Sequence, residues 1–178
     1  ISSGLVGSEM CIRDSGGTII QESLDRGSFE TFFLPDGMYA DSLTKTFGSQ
    51  IDGSFGASAG TDSPGDATFK TLFADAGHEY NVYAGEYYDA AALIMLAMQA
   101  AGSSSSSDLK DHVMDVANAP GEKIYPGELA KAMKILAGGG QIDYVGASAV
   151  ELIGPGESGG SYLQYEVKNG KFETVKYR

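Results

Sequence analysis

Residues 29–39 read FETFFLPDGMY, an apolar run that stops at Pro35 and is followed at once by an acid, a glycine and an aromatic. Phe32, Phe33 and Leu34 lie between Gly27 and Pro35-Asp36-Gly37, the pattern of a buried strand in a parallel sheet. Pro35 cannot donate to a ladder and Gly37 permits a tight turn, so the chain is expected to leave the sheet there. Asp36 then stands just past the carboxyl end of a strand, the edge at which open α/β sheets bind ligands. An Asp in that place also serves as a turn residue or a helix N-cap, and the segment alone leaves both readings open.

Upstream, residues 16–26 read as the end of a helix, with Ile19, Ile20 and Leu24 on one stripe and Gly27 as its terminal glycine. Helix, strand and acid together make an αβ unit of a doubly wound sheet. Downstream, residues 41–47 form a short helix, and residues 51–57 alternate Ile51, Gly53, Phe55 and Ala57 as a second strand would. Residues 58–65, SAGTDSPG, are a loop; they carry neither GxGxxG nor GK[ST], which argues against a nucleotide cradle. Asp66 is expected to cap a helix bearing Phe69, Leu72 and Phe73 and closed by Gly77.

The strongest helical signal is residues 83–101, YAGEYYDAAALIMLAMQAA. Nearly every position from Ala90 on is apolar, so this helix is expected to be buried on most sides between a sheet and other helices. Gly102 ends it, and serines 103–107 read as a surface linker. Asp108 opens a helix with Leu109, Val113, Val116 and Ala117 on one face, and Pro126-Gly127-Glu128 opens another, stopped by three glycines at 138–140. Strand patterns follow at 142–150, 162–167 and 172–177, the last two joined by Asn169-Gly170, a type I′ hairpin signal.

With 178 residues, 42% hydrophobic, the chain can bury an ordinary core. A net charge of −12 argues against nucleic acid as a partner, because phosphate binding needs clustered Lys and Arg. No apolar stretch reaches membrane-spanning length; the longest, 90–98, is broken at Gln99. Residues 1–15 contain GLVGSEMCIRDS, which looks like a translated sequencing-adapter read-through and lacks leader-peptide anatomy. On that reading they are a non-native artefact, Cys11 is not native, and the true N-terminal part is missing. The rest of the chain has no cysteine, so it offers neither a disulfide nor a thiolate metal site. His78 and His112 read as surface residues with no metal-ligand spacing, and no Ser or Cys nucleophile elbow is present.

Several segments in order resemble one family, the bacterial ABC-transporter substrate-binding proteins for branched-chain amino acids and related ligands. They are Leu34-Pro35-Asp36-Gly37, the helix start Tyr88-Asp89-Ala90-Ala91-Ala92-Leu93, Asp143-Tyr144-Val145-Gly146-Ala147-Ser148 and the closing Val167-Lys168-Asn169-Gly170-Lys171-Phe172 hairpin. The resemblance implies an α/β chain: a partial type I periplasmic-binding-protein fold, three-layer αβα and two-lobed, truncated at the N-terminus. It implies that 16–57 belong to the second lobe, 58–65 to a hinge crossover and 66–144 to helices of the first lobe. Residues 145–178 would supply a further crossover, around 145–148, and terminal strands of the second lobe.

The same resemblance implies ligand contacts at Asp36, receiving an α-ammonium with Gly37 shaping its turn, and at Tyr83, lining the side-chain pocket. Asp stands where amino-acid-binding members often have Glu, one methylene longer, and Tyr83 reads as well as a core or helix-start aromatic. The groups that hold the ligand carboxylate would lie upstream of Gly16. Implied with these are a small-molecule ligand (amino acid or amide), an ABC permease of the inner membrane as partner, no cofactor, no catalysis, and a monomer when full length. The implied location is the periplasm, or a lipid-anchored extracellular position, with no leader peptide in this stretch. A sensory or regulatory domain of the same fold is the alternative, followed by an α/β hydrolase using Asp36 as acid or base. Lacking most of both sheets, the 178-residue chain is expected to be poorly stable and to associate through exposed strand edges.

Overall fold

The computed structural model describes residues 13–154 and 156–178; Cys11 and most of the adapter-like string lie outside the described residues. In chain order the elements are α1 (Arg13–Asp25), β1 (Phe33–Leu34), α2 (Asp41–Phe47), β2 (Phe55–Ala59), α3 (Pro64–Asp75) and α4 (Ala84–Ala101). Then come α5 (Ser106–Leu109), α6 (Val113–Ala117), β3 (Glu122–Ile124), α7 (Leu129–Ala137), β4 (Ile142–Tyr144), β5 (Leu152–Ile153) and β6 (Glu157–Ser158). The hairpin of β7 (Tyr162–Lys168) and β8 (Lys171–Tyr177) closes the series. The mixed α/β chain divides into two compact units, 1–58 with 163–176, and 59–162 with 177–178.

The first unit is built on a sheet of order β1-β2-β7-β8. β1 and β2 pair in parallel, Phe33 opposite Phe55 and Leu34 opposite Gly56. Parallel pairing was expected; a strand buried along 29–34 was not found. Phe29 and Phe33 are both 69% exposed and the ladder spans two residues. It stops because the Phe32 N–H donates to the Ser54 hydroxyl at 3.0 Å instead of to a backbone carbonyl. β2 likewise starts at Phe55, not Ile51, because residues 48–51 wind into a 3-10 turn before it.

One sheet face is covered. Ile20 of α1, Leu43 and Phe47 of α2, Met38 and Ile51 pack on Leu34, Leu163, Tyr165 and Val167. On the opposite face Phe33 and Phe55 meet edge-on, ring centres 5.6 Å apart, and both stay exposed. At the hairpin turn Asn169 and Gly170 take positive φ of 52° and 69°, and both N–H groups donate to the Asp52 carboxylate, at 3.1 and 2.9 Å.

The second unit holds a β3-α7-β4 crossover with its two strands parallel, Ile124 opposite Tyr144. Ala92, Leu93, Leu96 and Ala97 of α4 pack with Val116, Ile124, Ala132, Ile142 and Tyr144. α4 meets these elements on one side only among the described residues: Tyr87, Ile94 and Met95 on the other are exposed. The expected burial on most sides is therefore corrected, because α5, α6 and α7 pack on α4, whose buried residues Ala92, Leu93, Leu96 and Ala97 lie on one face. α3 is led by Ser63 with Pro64 at its first turn, not capped by Asp66, because a proline at that position loses no helical hydrogen bond. The helix expected from Asp108 is two short ones, α5 and α6, since an i, i+4 stripe does not reveal a one-turn break. β4 stops at Tyr144, short of the expected 142–150 run.

Candidate functional site

Asp36 begins a 3-10 turn, Asp36–Met38, directly after β1. Tyr39 N–H returns to the Asp36 carbonyl at 2.9 Å and Met38 N–H to that of Pro35 at 2.9 Å, so the turn is closed by its own backbone. The Asp36 side chain is exposed, and one carboxylate oxygen accepts the Gly37 N–H at 2.7 Å. The segment beneath is held by β7: the Tyr165 hydroxyl donates to the Leu34 carbonyl at 2.9 Å, and its ring packs against Tyr39 and Phe172. Gly56 permits that approach, since a Cβ there would stand 2.0 Å from the Leu34 carbonyl and 2.6 Å from the Tyr165 hydroxyl. The result is a carboxylate at the carboxyl end of a parallel strand, on a turn braced from below. Gly37 also borders a groove of about 670 Å³ between α1 and α2, with Gly17, Gln21, Ser42 and Phe47 among its walls.

Tyr83 belongs to the second unit and precedes α4. It adopts φ 69° and ψ 1°, the left-handed region, and is half-buried. An L-residue with a Cβ is strained there by about 1–2 kcal/mol. Its carbonyl accepts the Tyr87 N–H at 2.9 Å, the first bond of the helix. Asp36 and Gly37 thus share one turn, whereas Tyr83 lies in the other unit.

One group escaped the sequence reading. Asp89, on the buried side of α4, is 2% exposed and accepts four hydrogen bonds. Tyr144 hydroxyl and Ala147 N–H donate to one oxygen, both at 2.8 Å, and Ser148 N–H and hydroxyl to the other, both at 2.7 Å. Burial first, then the Asp89 carboxylate, pushes the Tyr144 phenol well above its ordinary value, so it remains a donor. A charged residue directly before the apolar run of α4 was the available signal; its donors lie more than fifty residues on, which no local pattern shows.

His78 stacks on Phe73 and His112 lies 3.6 Å from Asp115. Among the described residues no cluster of three or more His, Cys, Asp or Glu could hold a metal ion, and no helix is long and apolar enough to cross a membrane.

No protein-family model and no curated protein sequence matches the chain. Solved structures do. A leucine-binding protein, LivK, from Thermotoga maritima superposes with a TM-score of 0.66 at 17% identity, over 92% of this chain and 41% of its own. A protein described as a branched-chain amino acid ABC transporter from Rhodospirillum rubrum gives 0.59 at 14% identity, over 93% and 42%. The chain therefore spans about two fifths of either neighbour's length, and its mixed α/β architecture is part of the type I periplasmic-binding-protein fold.

Proposed function

We propose that this chain is part of the solute-binding component of an ABC importer, taking a branched-chain amino acid or a related zwitterion or amide. In this reading Asp36 receives the ligand ammonium, Gly37 keeps its turn tight, and Tyr83 forms part of the side-chain wall. Residues 16–57 and the closing β7-β8 hairpin belong to one lobe and 66–144 to the other, with crossovers at 58–65 and around 145–148. The loaded protein delivers its solute to a membrane permease, acts outside the inner membrane, is monomeric when full length and catalyses nothing.

The observation that carries the reading is the place of Asp36: an exposed carboxylate at the carboxyl end of a parallel strand, in a fold whose solved neighbours are described as leucine-binding and branched-chain amino acid transport proteins. An ammonium taken out of water needs such a partner, because an unpaired buried charge is too costly to keep.

Titration calorimetry of the intact protein with leucine, isoleucine and valine tests it. Binding should be seen for at least one of them, and Asp36→Ala should weaken it by about tenfold or more, some 1.4 kcal/mol. An unchanged affinity removes Asp36 from the site; no binding by the wild type removes the function.

A further inference from the structure

The geometry points to Asp89 as a positioning residue for Tyr83, a role that rests on the ligand reading above. The five residues Tyr144–Ser148 supply every donor to the Asp89 carboxylate given above. They are bent at Gly146, φ 60°, where a Cβ would stand 2.3 Å from the Asp89 oxygen. The turn so held presents Ala147, which is buried and packs with Ala84 and Phe69. A Cβ on Gly85 would already lie 3.3 Å from that of Ala147. Ala84 and Gly85 are the two residues after Tyr83, so the clamped turn bears on the first residues of α4 and keeps the preceding backbone left-handed. Gly65, at the start of α3, has room for no Cβ against the Gly146 carbonyl, which closes the turn from its other side. The carboxylate thus acts on Tyr83 through Ala147 without facing the ligand.

Asp89→Asn keeps the side chain's size but replaces one acceptor oxygen by an NH2 that cannot accept, so the N–H of either Ala147 or Ser148 loses its acceptor. In the intact protein, well below its melting midpoint and with circular dichroism unchanged, it should speed amide exchange at Ala147 or Ser148. It should also weaken leucine binding by about tenfold. A purely structural role would lower the midpoint and leave the affinity alone, and that result overturns the inference. In a Tyr83→Ala background Asp89→Asn should cost no further affinity; additive losses also overturn it. Should Asp89→Asn fail to fold, Ser148→Ala, which deletes only the hydroxyl donor, carries the same measurements. If the wild type binds no leucine, the ligand reading falls by itself, and the three-bond HN–Hα coupling of Tyr83 decides the positioning role. A positive φ kept in Asp89→Asn overturns it; a positive φ lost supports it.

Discussion

Tyr83 and Tyr144 show how single side chains bear opposite kinds of stress. Tyr83 holds a backbone conformation that asparagine tolerates better than tyrosine. Tyr83→Asn should therefore leave the denaturation midpoint unchanged or raise stability by up to about 1 kcal/mol, while solute affinity falls. A variant that loses stability and keeps affinity would make Tyr83 an ordinary packing residue. Tyr144 would be stressed only on ionising: burial first, then the Asp89 carboxylate, raises its folded phenol above the ordinary value near 10. A raised group contributes stability that is fully present below the unfolded value and is lost as pH climbs past it. Stability should accordingly decline above about pH 10, where the unfolded chain ionises Tyr144 and the folded one does not. Alkaline urea titrations of Tyr144→Phe should show a shallower decline than the wild type. At the candidate site, the place of Asp36 on a turn after a strand was legible in the sequence, because proline, acid and glycine stand side by side. Asp89 was not, because its partners come from the far end of a crossover.

Short elements in this fold depend on close backbone approach more than on strand propensity. β1 has two residues, and what keeps it beside β2 is the gap left by Gly56, into which the Leu34 carbonyl and the Tyr165 hydroxyl both reach. Gly56→Ala should destabilise the first unit by about 1–3 kcal/mol, read from urea melts of tyrosine fluorescence. A midpoint equal to the wild type's would show the β1 edge to be dispensable. Elements with a local chemical cue were legible: α2 at its observed bounds, the end of α4 at Gly102, and the β7-β8 hairpin from Asn169-Gly170. β3, β5 and β6, of two or three residues each, are too short for an alternating pattern to register. The sidedness of α4 was hidden for the opposite reason. Its apolar residues surround it, so the sequence could not say which side the neighbouring helices would take.

Within each unit a considerable apolar surface stays in water: Phe33 with Phe55 in the first, Tyr87, Ile94 and Met95 in the second. Surfaces of this kind drive association, and the net charge of −12 opposes it. The 178-residue chain should therefore self-associate more as salt screens that charge, and Ile94→Lys should shift sedimentation back toward the monomer. Salt-independent sedimentation would show that these faces do not attract one another. Length and composition allowed an ordinary core, but the assembly of the first unit from two distant spans was beyond local patterning. The Tyr165-to-Leu34 hydrogen bond joins residues 131 positions apart.

That separation has a consequence during synthesis. The first unit needs residues 163–176 to complete a sheet whose other strands end by Ala59. At ribosomal speeds the nascent β1-β2 pair waits roughly 5–20 seconds for its hairpin to emerge. Through that interval β2 lacks its neighbour β7 and stands as an open sheet edge, so chaperone capture on the ribosome should be greatest for stalled chains ending before Leu163 and should drop once the hairpin clears the exit tunnel.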